Sequence, residues 1–234
     1  MSTLLLSATH IAVNIQAMPA LRDLTVQIAE GQMMGLIGRN GAGKTTFMRT
    51  VMGHLTPVSG SILFQGQDLS GTARHHRAMS GIGYMPEDRG LVPQLTVEEN
   101  ILLPLWVSKT LGRQERLDFV YALMPEVASM RDRRALLLSG GQQKLVALCR
   151  ALVVGTRLLL LDEPFEGMAP ALSQRLAEVI NSLKGSSLAV LIAQSDVNHS
   201  GNLFDRKVVI ERGANAVPTP DAPEPGASDT KCLA

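Results

Sequence analysis

The chain has 234 residues, 45% hydrophobic and 18% charged, enough to bury one sizeable core without a disulfide or metal staple. Lys+Arg 22 against Asp+Glu 21 leave a formal charge of +1, which argues against a protein held to nucleic acid or anionic lipid by charge. The two cysteines, Cys149 and Cys232, make neither a disulfide framework nor a zinc site.

The opening Met1-Ser-Thr-Leu-Leu-Leu-Ser has no basic segment and no cleavage site, so no secretory leader is expected. The strongest apolar run, Leu158–Leu161, falls far short of the ~20 residues that cross a bilayer, and a cytoplasmic chain is expected. Residues 1–30 predict short strands and turns. Met33–Ile37, apolar and bounded by glycines, predicts a buried strand, and a helix should follow to about Met52. Ser61–Phe64 looks hairpin-like, and Gly81–Met85 is a second short apolar run. Thr96-x-x-Glu99 is a capping box that predicts a helix start, after which the chain reads mostly helical to about Leu137, with breaks at Pro104 and Pro125. Leu145, Val146, Leu148, Cys149 and Leu152 recur at helical spacing. Leu158–Leu161 and Leu188–Ile192 predict buried strands with a helix around Leu172–Leu183 between them. Strands apolar on both faces that alternate with helices imply a largely parallel sheet. From about Gly213 onward, Pro218, Pro220, Pro223 and Pro225 alternate with small and acidic residues, and residues 214–234 are expected to be a disordered tail.

Gly38-Arg39-Asn40-Gly41-Ala42-Gly43-Lys44-Thr45-Thr46 carries the spacing of a phosphate-binding loop between a strand and a helix. Glycines let the backbone turn its N–H groups onto a phosphate, and the helix N-terminus adds unpaired donors and a favourable dipole. Lys44 would reach the β- and γ-phosphates of a nucleotide, and the Thr45 hydroxyl would hold Mg²⁺. Downstream, Leu158-Leu-Leu-Leu161 closes on Asp162 and Glu163. Asp162 fits the role of holding the Mg²⁺ shell, and Glu163 that of orienting or deprotonating the attacking water.

Leu138-Ser139-Gly140-Gly141-Gln142 ends 20 residues before Asp162. Over about residues 1–213 this order of motifs resembles the ATP-binding subunits of ABC transporters. The resemblance implies an α/β fold of the P-loop NTPase type, a mainly parallel sheet core with an N-terminal antiparallel β subdomain and a small helical subdomain at about 88–150. It also implies ATP and Mg²⁺ as ligands and a head-to-tail dimer in which Ser139, Gly140, Gly141 and Gln142 bind the γ-phosphate held by the other subunit. The stretches around the phosphate loop, Tyr84-Met-Pro-Glu-Asp-Arg and Leu95-Thr-Val-Glu-Glu-Asn resemble the branched-chain amino acid importer subgroup. Glu87 stands where most of the family has a Mg²⁺-sensing glutamine. Gln194 stands where most have a histidine, and both replacements resemble that subgroup's second ATPase subunit rather than its histidine-bearing partner. Ile15 stands where an aromatic residue usually stacks on adenine, and loss of stacking is worth ~1–3 kcal/mol by analogy with single-strand binding. The implied partners are permease subunits, a related ATP-binding subunit or a second copy, and indirectly a periplasmic solute-binding protein. No nucleic acid is among them, and the expected place is the inner face of the membrane.

Several features carry blander readings. His75-His76 is expected on a solvated surface loop, and His199 at the surface on a loop or helix. Cys149 is expected to be a core thiol. Leu91–Trp106 is more apolar than a free surface needs, and the positive charge of Lys144 after the serine-glycine motif has no evident partner in the sequence. Two alternatives stand beside the transport reading. One is a soluble ABC-type regulatory or DNA-maintenance ATPase, and the other is a partly degenerate subunit that holds ATP while a partner hydrolyses it.

Overall fold

The computed structural model describes residues 4–106, 112–195 and 203–216. Among the described residues ten strands form one mixed sheet. The N-terminal residues build two long strands rather than several short ones: β1 (Leu4–Ile15) and β2 (Met18–Ala29) pair antiparallel, and β4 (Ser59–Phe64) pairs antiparallel with the other edge of β1. The hairpin expected at Ser61–Phe64 closes through β5 (Gln67–Asp68). Strands β3 (Met33–Ile37), β6 (Ile82–Met85), β7 (Leu158–Asp162) and β8 (Ala189–Gln194) form the parallel block, in the order β3-β8-β7-β6. Two further strands, β9 (Arg206–Glu211) and β10 (Ala214–Asn215), join the antiparallel part to that block.

Alternation along the strands splits the interior into two cores. Leu158, Leu160, Ala189, Leu191 and Ala193 pack with β1, β2 and helix α1 (Lys44–Val51). Leu159, Leu161, Val190 and Ile192 pack with helices α3 (Val97–Leu102), α6 (Gly140–Val154) and α7 (Pro170–Ser182). Because each strand feeds both cores, every residue of β7 and β8 is buried, which is why the sequence reads there as unbroken apolar runs. Strand β6 lies so close to α6 that a Cβ on Gly83 would collide with the Ala151 carbonyl, so only glycine fits there.

The expected breaks at the two prolines hold. Pro104 sits in a single 3₁₀ turn, Leu103–Trp106, after α3, and Pro125 opens the short α5 (Pro125–Ala128) after α4 (Arg113–Leu123). Thr96 caps α3, its hydroxyl accepting from the Glu99 N–H while the Glu99 carboxylate accepts from the Thr96 N–H.

Two expectations are corrected. His75-His76 does not lie on a loop but in α2 (Arg74–Met79), with the two rings 4.1 Å apart. That polar helix is held by Arg77, whose guanidinium donates to the carbonyls of Thr50, Val51, Leu69 and Thr72. The strand structure also runs past Gly213. Ala214 pairs with Asp23 and Glu211, so the expected tail does not begin at residue 214. Residues 217–234 and His199 lie outside the described residues. No helix among the described residues is long and apolar enough to cross a membrane.

Candidate nucleotide site

The carboxyl ends of β3, β7 and β8 meet at one edge of the sheet, and the loop from Gly38 to Gly43 turns there into α1. Gly43 has φ +111, and a Cβ on it would lie 2.7 Å from Leu21, so both the turn and the approach to β2 need glycine. Gly38 is fixed by its N–H, which donates to the Gln194 carbonyl at 3.1 Å. Asn40, Gly41, Gly43, Lys44, Thr45, Thr46, Glu87 and Glu163 all line one cavity of about 470 Å³.

Lys44 is buried at 5% exposure. Its ammonium donates to the carbonyls of Gly38 (2.6 Å) and Arg39 (3.2 Å) and pairs with Glu163 Oε1 at 3.0 Å. The Ser195 hydroxyl donates to Glu163 Oε2 at 3.4 Å. Glu163 itself has φ 45, a left-handed conformation that costs a non-glycine residue on the order of 1–3 kcal/mol and persists only where its surroundings fix it. Its N–H donates to the Ala193 carbonyl at 3.0 Å.

Asp162 is fully buried. The Tyr84 hydroxyl donates to its Oδ2 at 3.4 Å, while Oδ1 has no hydrogen-bond partner. Burial pushes the Asp162 carboxyl up to about 6, with Glu87 and Glu163 adding to the rise and Thr45 and Lys44 opposing it. A buried carboxylate oxygen without a donor, beside the Thr45 hydroxyl and the Glu87 carboxylate, is a set of hard oxygen ligands suited to a small divalent cation. Among the described residues no group of three or more His, Cys, Asp or Glu could hold a metal by itself. A cation here would therefore share its shell with phosphate oxygens and water, which is the usual habit of Mg²⁺.

The sequence profile of ABC transporters matches residues 21–166. The chain belongs to the ABC transporter family. Among curated ABC relatives, it is 36% identical to the high-affinity branched-chain amino acid transport ATP-binding protein BraG of Pseudomonas aeruginosa, with 83% of each chain covered. It is 32% identical to the lipopolysaccharide export system ATP-binding protein LptB of Escherichia coli, covering 92% of this chain and 91% of that one. Among solved structures, a nucleotide-free ATP-binding cassette from an ABC transporter superposes with a TM-score of 0.80 at 24% identity, covering 92% of this chain and 90% of that one. The P-loop NTPase fold is that of the ABC cassettes, and the chain is an ABC-type ATPase.

The ABC motif Ser139–Gln142 lies apart from the phosphate loop. Ser139 caps α6, its hydroxyl accepting from the Gln142 N–H while the Gln142 side chain accepts from the Ser139 N–H. None of residues 139–142 is among the described residues that line the cavity. Ile15, at the end of β1, is 42% exposed and does not line it either, whereas Pro19, Ala20 and Arg22 of β2 and Arg212 do. Gln194 ends β8 with 4% exposure, one residue beyond the Ala193 that pairs with Asp162.

Three further residues belong to this region, two that no sequence pattern singles out and one that stands in the sequence only as a charge without an evident partner. Tyr84 and Ser195 hold the two carboxylates, 78 and 32 positions away in the chain, and no local pattern announces them. The third is Lys144, whose ammonium donates to the carbonyls of Glu163 (2.8 Å) and Glu166 (2.5 Å). A readable signal existed for it, because Lys144 stands one helical turn before the buried Leu148, on the apolar side of its helix.

Proposed function

We propose that this chain is the ATP-binding subunit of an importer for branched-chain amino acids or a related amino acid or amide, working as one half of a head-to-tail pair. The pairing rests on one observation. Lys44, Thr45, Glu87 and Glu163 converge on one cavity while Ser139–Gln142 lie outside it, so a second subunit must bring its own serine-glycine turn to complete each site. The direction of transport and the solute are supported by the likeness to BraG.

In this reading the γ-phosphate draws Lys44 away from Glu163. The Glu163 carboxylate then takes a proton from water as the water oxygen attacks the γ-phosphorus and the bond to ADP breaks. Thr45 and Asp162, with Glu87 nearby, would hold Mg²⁺, which when bound neutralises charge on the β- and γ-oxygens. Gln194 orients the γ-phosphate without taking a proton, since an amide cannot act as a base at neutral pH. The ends of the ATP are met by the backbone of Gly38–Thr46 on one subunit and by Ser139–Gln142 on the other. Pro19, Ala20 and Arg22 line the cavity, and Ile15, paired with Met18 just ahead of them, is the residue offered to the base. The chain sits at the inner face of the membrane through permease subunits. A cavity of about 890 Å³ between Arg49, His54, Glu87 and Pro104 is the candidate docking groove. A periplasmic binding protein delivers the solute on the far side.

The test is reconstitution with the membrane subunits that copurify with the chain. Vesicles loaded with ATP are expected to accumulate labelled leucine or a related amino acid presented outside, and the Glu163→Gln form is expected to bind ATP without accumulating solute. Extraction of lipopolysaccharide from the vesicle membrane, with no solute uptake, would instead establish export of the LptB kind.

A further inference from the structure

We infer that Lys144 is a positioning residue for hydrolysis, tying the first turns of α6 to the backbone of Glu163 and so coupling the two half-sites carried by one chain. The inference rests on the reading of Glu163 as general base. Lys144 is 3% exposed, and its ammonium is spent wholly on main-chain carbonyls, those of Glu163 and Glu166. A buried ammonium is an expensive way to fill a core, and an apolar side chain would stabilise the site at least as well. What an apolar side chain cannot do is hold a carbonyl in place.

The carbonyl in question belongs to a residue whose backbone needs holding. Glu163 adopts φ 45, and each of its polar groups is fixed from a different element. Its N–H is bonded to Ala193 of β8, its carboxylate meets Lys44 of α1 and Ser195, and its carbonyl accepts from Lys144 of α6 at 2.8 Å and, more weakly, from the Glu166 N–H of its own turn at 3.3 Å. Of these, only Lys144 comes from the helix whose N-terminal turn is Ser139–Gln142. In a head-to-tail pair that turn serves the partner's nucleotide, whereas Glu163 serves this chain's own. A shift of α6 on engaging the partner's γ-phosphate would therefore pull on the base of the other site through a single side chain. The charged groups facing Lys144 are Glu166, Glu163 and Glu87, which favour its charge, and Arg89, which opposes it.

The experiment compares full-length Lys144→Met, Lys144→Gln and Lys144→Arg with the parent, each with its copurifying partners. For Lys144→Met, kcat for ATP should fall about tenfold or more while KM and the affinity for a non-hydrolysable ATP analogue change less than about twofold, the pattern of an interaction felt only in the transition state. Cooperativity in ATP should disappear, Lys144→Arg should recover most of kcat, and Lys144→Gln, which keeps a donor at shorter reach, should fall between. Unchanged kcat in Lys144→Met or in Lys144→Gln overturns the inference. So does a fall in which kcat, KM and melting temperature move together and Lys144→Arg is as poor as Lys144→Met, because that is the mark of a structural lysine. Should Lys144→Met not fold, the Lys144→Gln and Lys144→Arg pair decides by the same criteria. Glu163→Gln is measured alongside. If it hydrolyses ATP at the parental rate, the assignment of Glu163 as base has failed, a result legible whatever the Lys144 variants do.

Discussion

Asp162 is held as a charge in a place that does not favour charge. Burial raises its carboxyl to about 6 from an unfolded value near 3.8, so the folded chain binds more protons than the unfolded one between those values. Stability from this group therefore falls as pH rises through that window, and the full penalty stands above about pH 6, worth on the order of 2–3 kcal/mol. Removing the charge should relieve it. Asp162→Asn is expected to melt higher than the parent at pH 7.5, with the advantage shrinking as pH falls from 6 toward 4. Mg²⁺ with nucleotide should stabilise the parent much more than the variant, because Oδ1 is the oxygen left without a donor. Thermal melts at pH 4.5, 6 and 7.5, with and without Mg²⁺, check both. A variant less stable than the parent at every pH would mean that the carboxylate is satisfied as it stands.

The elements give a cleaner contrast, because α3 and α6 start with the same device. Each has a hydroxyl on the third helical N–H and a Glu or Gln side chain folded back on the cap. Loss of either hydroxyl should cost about 1 kcal/mol. Thr96→Ala and Ser139→Ala should thus lower the denaturation midpoint similarly. Only Ser139→Ala should also reduce turnover, by about tenfold, if the α6 cap faces a phosphate. Denaturant melts beside ATPase rates test this, and equal loss of activity in both variants would refute the special role of the α6 turn. These caps were legible in the sequence because their chemistry is local, three residues apart. So were β7 and β8, whose two buried faces leave no polar position before Asp162 and Gln194 at their carboxyl ends, and the loop ending at Lys44. Helix α2 was not. Arg-His-His-Arg-Ala-Met has no apolar stripe, and what holds it is Arg77 reaching carbonyls as far as 27 positions away. Strand β9 is mostly exposed, and β10 has only two residues, so neither carries a pattern. Lys144 was visible as a charge on an apolar face, but its meaning came only with the fold.

At the scale of the whole molecule, the two cores on either side of the sheet separate two kinds of surface. The phosphate loop rises from strands that pack on α1, while the α6 turn belongs to the helices of the opposite core. In the proposed head-to-tail reading the two surfaces meet across a two-fold pair, each nucleotide lying between the loop of one chain and the α6 turn of the other. That arrangement can be tested by mixing. Lys44→Ala removes the phosphate lysine but leaves the α6 turn intact. Ser139→Glu places a carboxylate on the helix end meant for a phosphate but leaves the loop intact, and each should be inactive alone. In an equimolar mixture half the dimers are mixed, and each mixed dimer joins the sound loop of one chain to the sound α6 turn of the other. If the parent turns over ATP as a homodimer, the mixture should recover up to about a quarter of parental turnover, one working site in two across half the dimers. If each chain built its whole site alone, mixing would recover nothing, since both chains would stay broken.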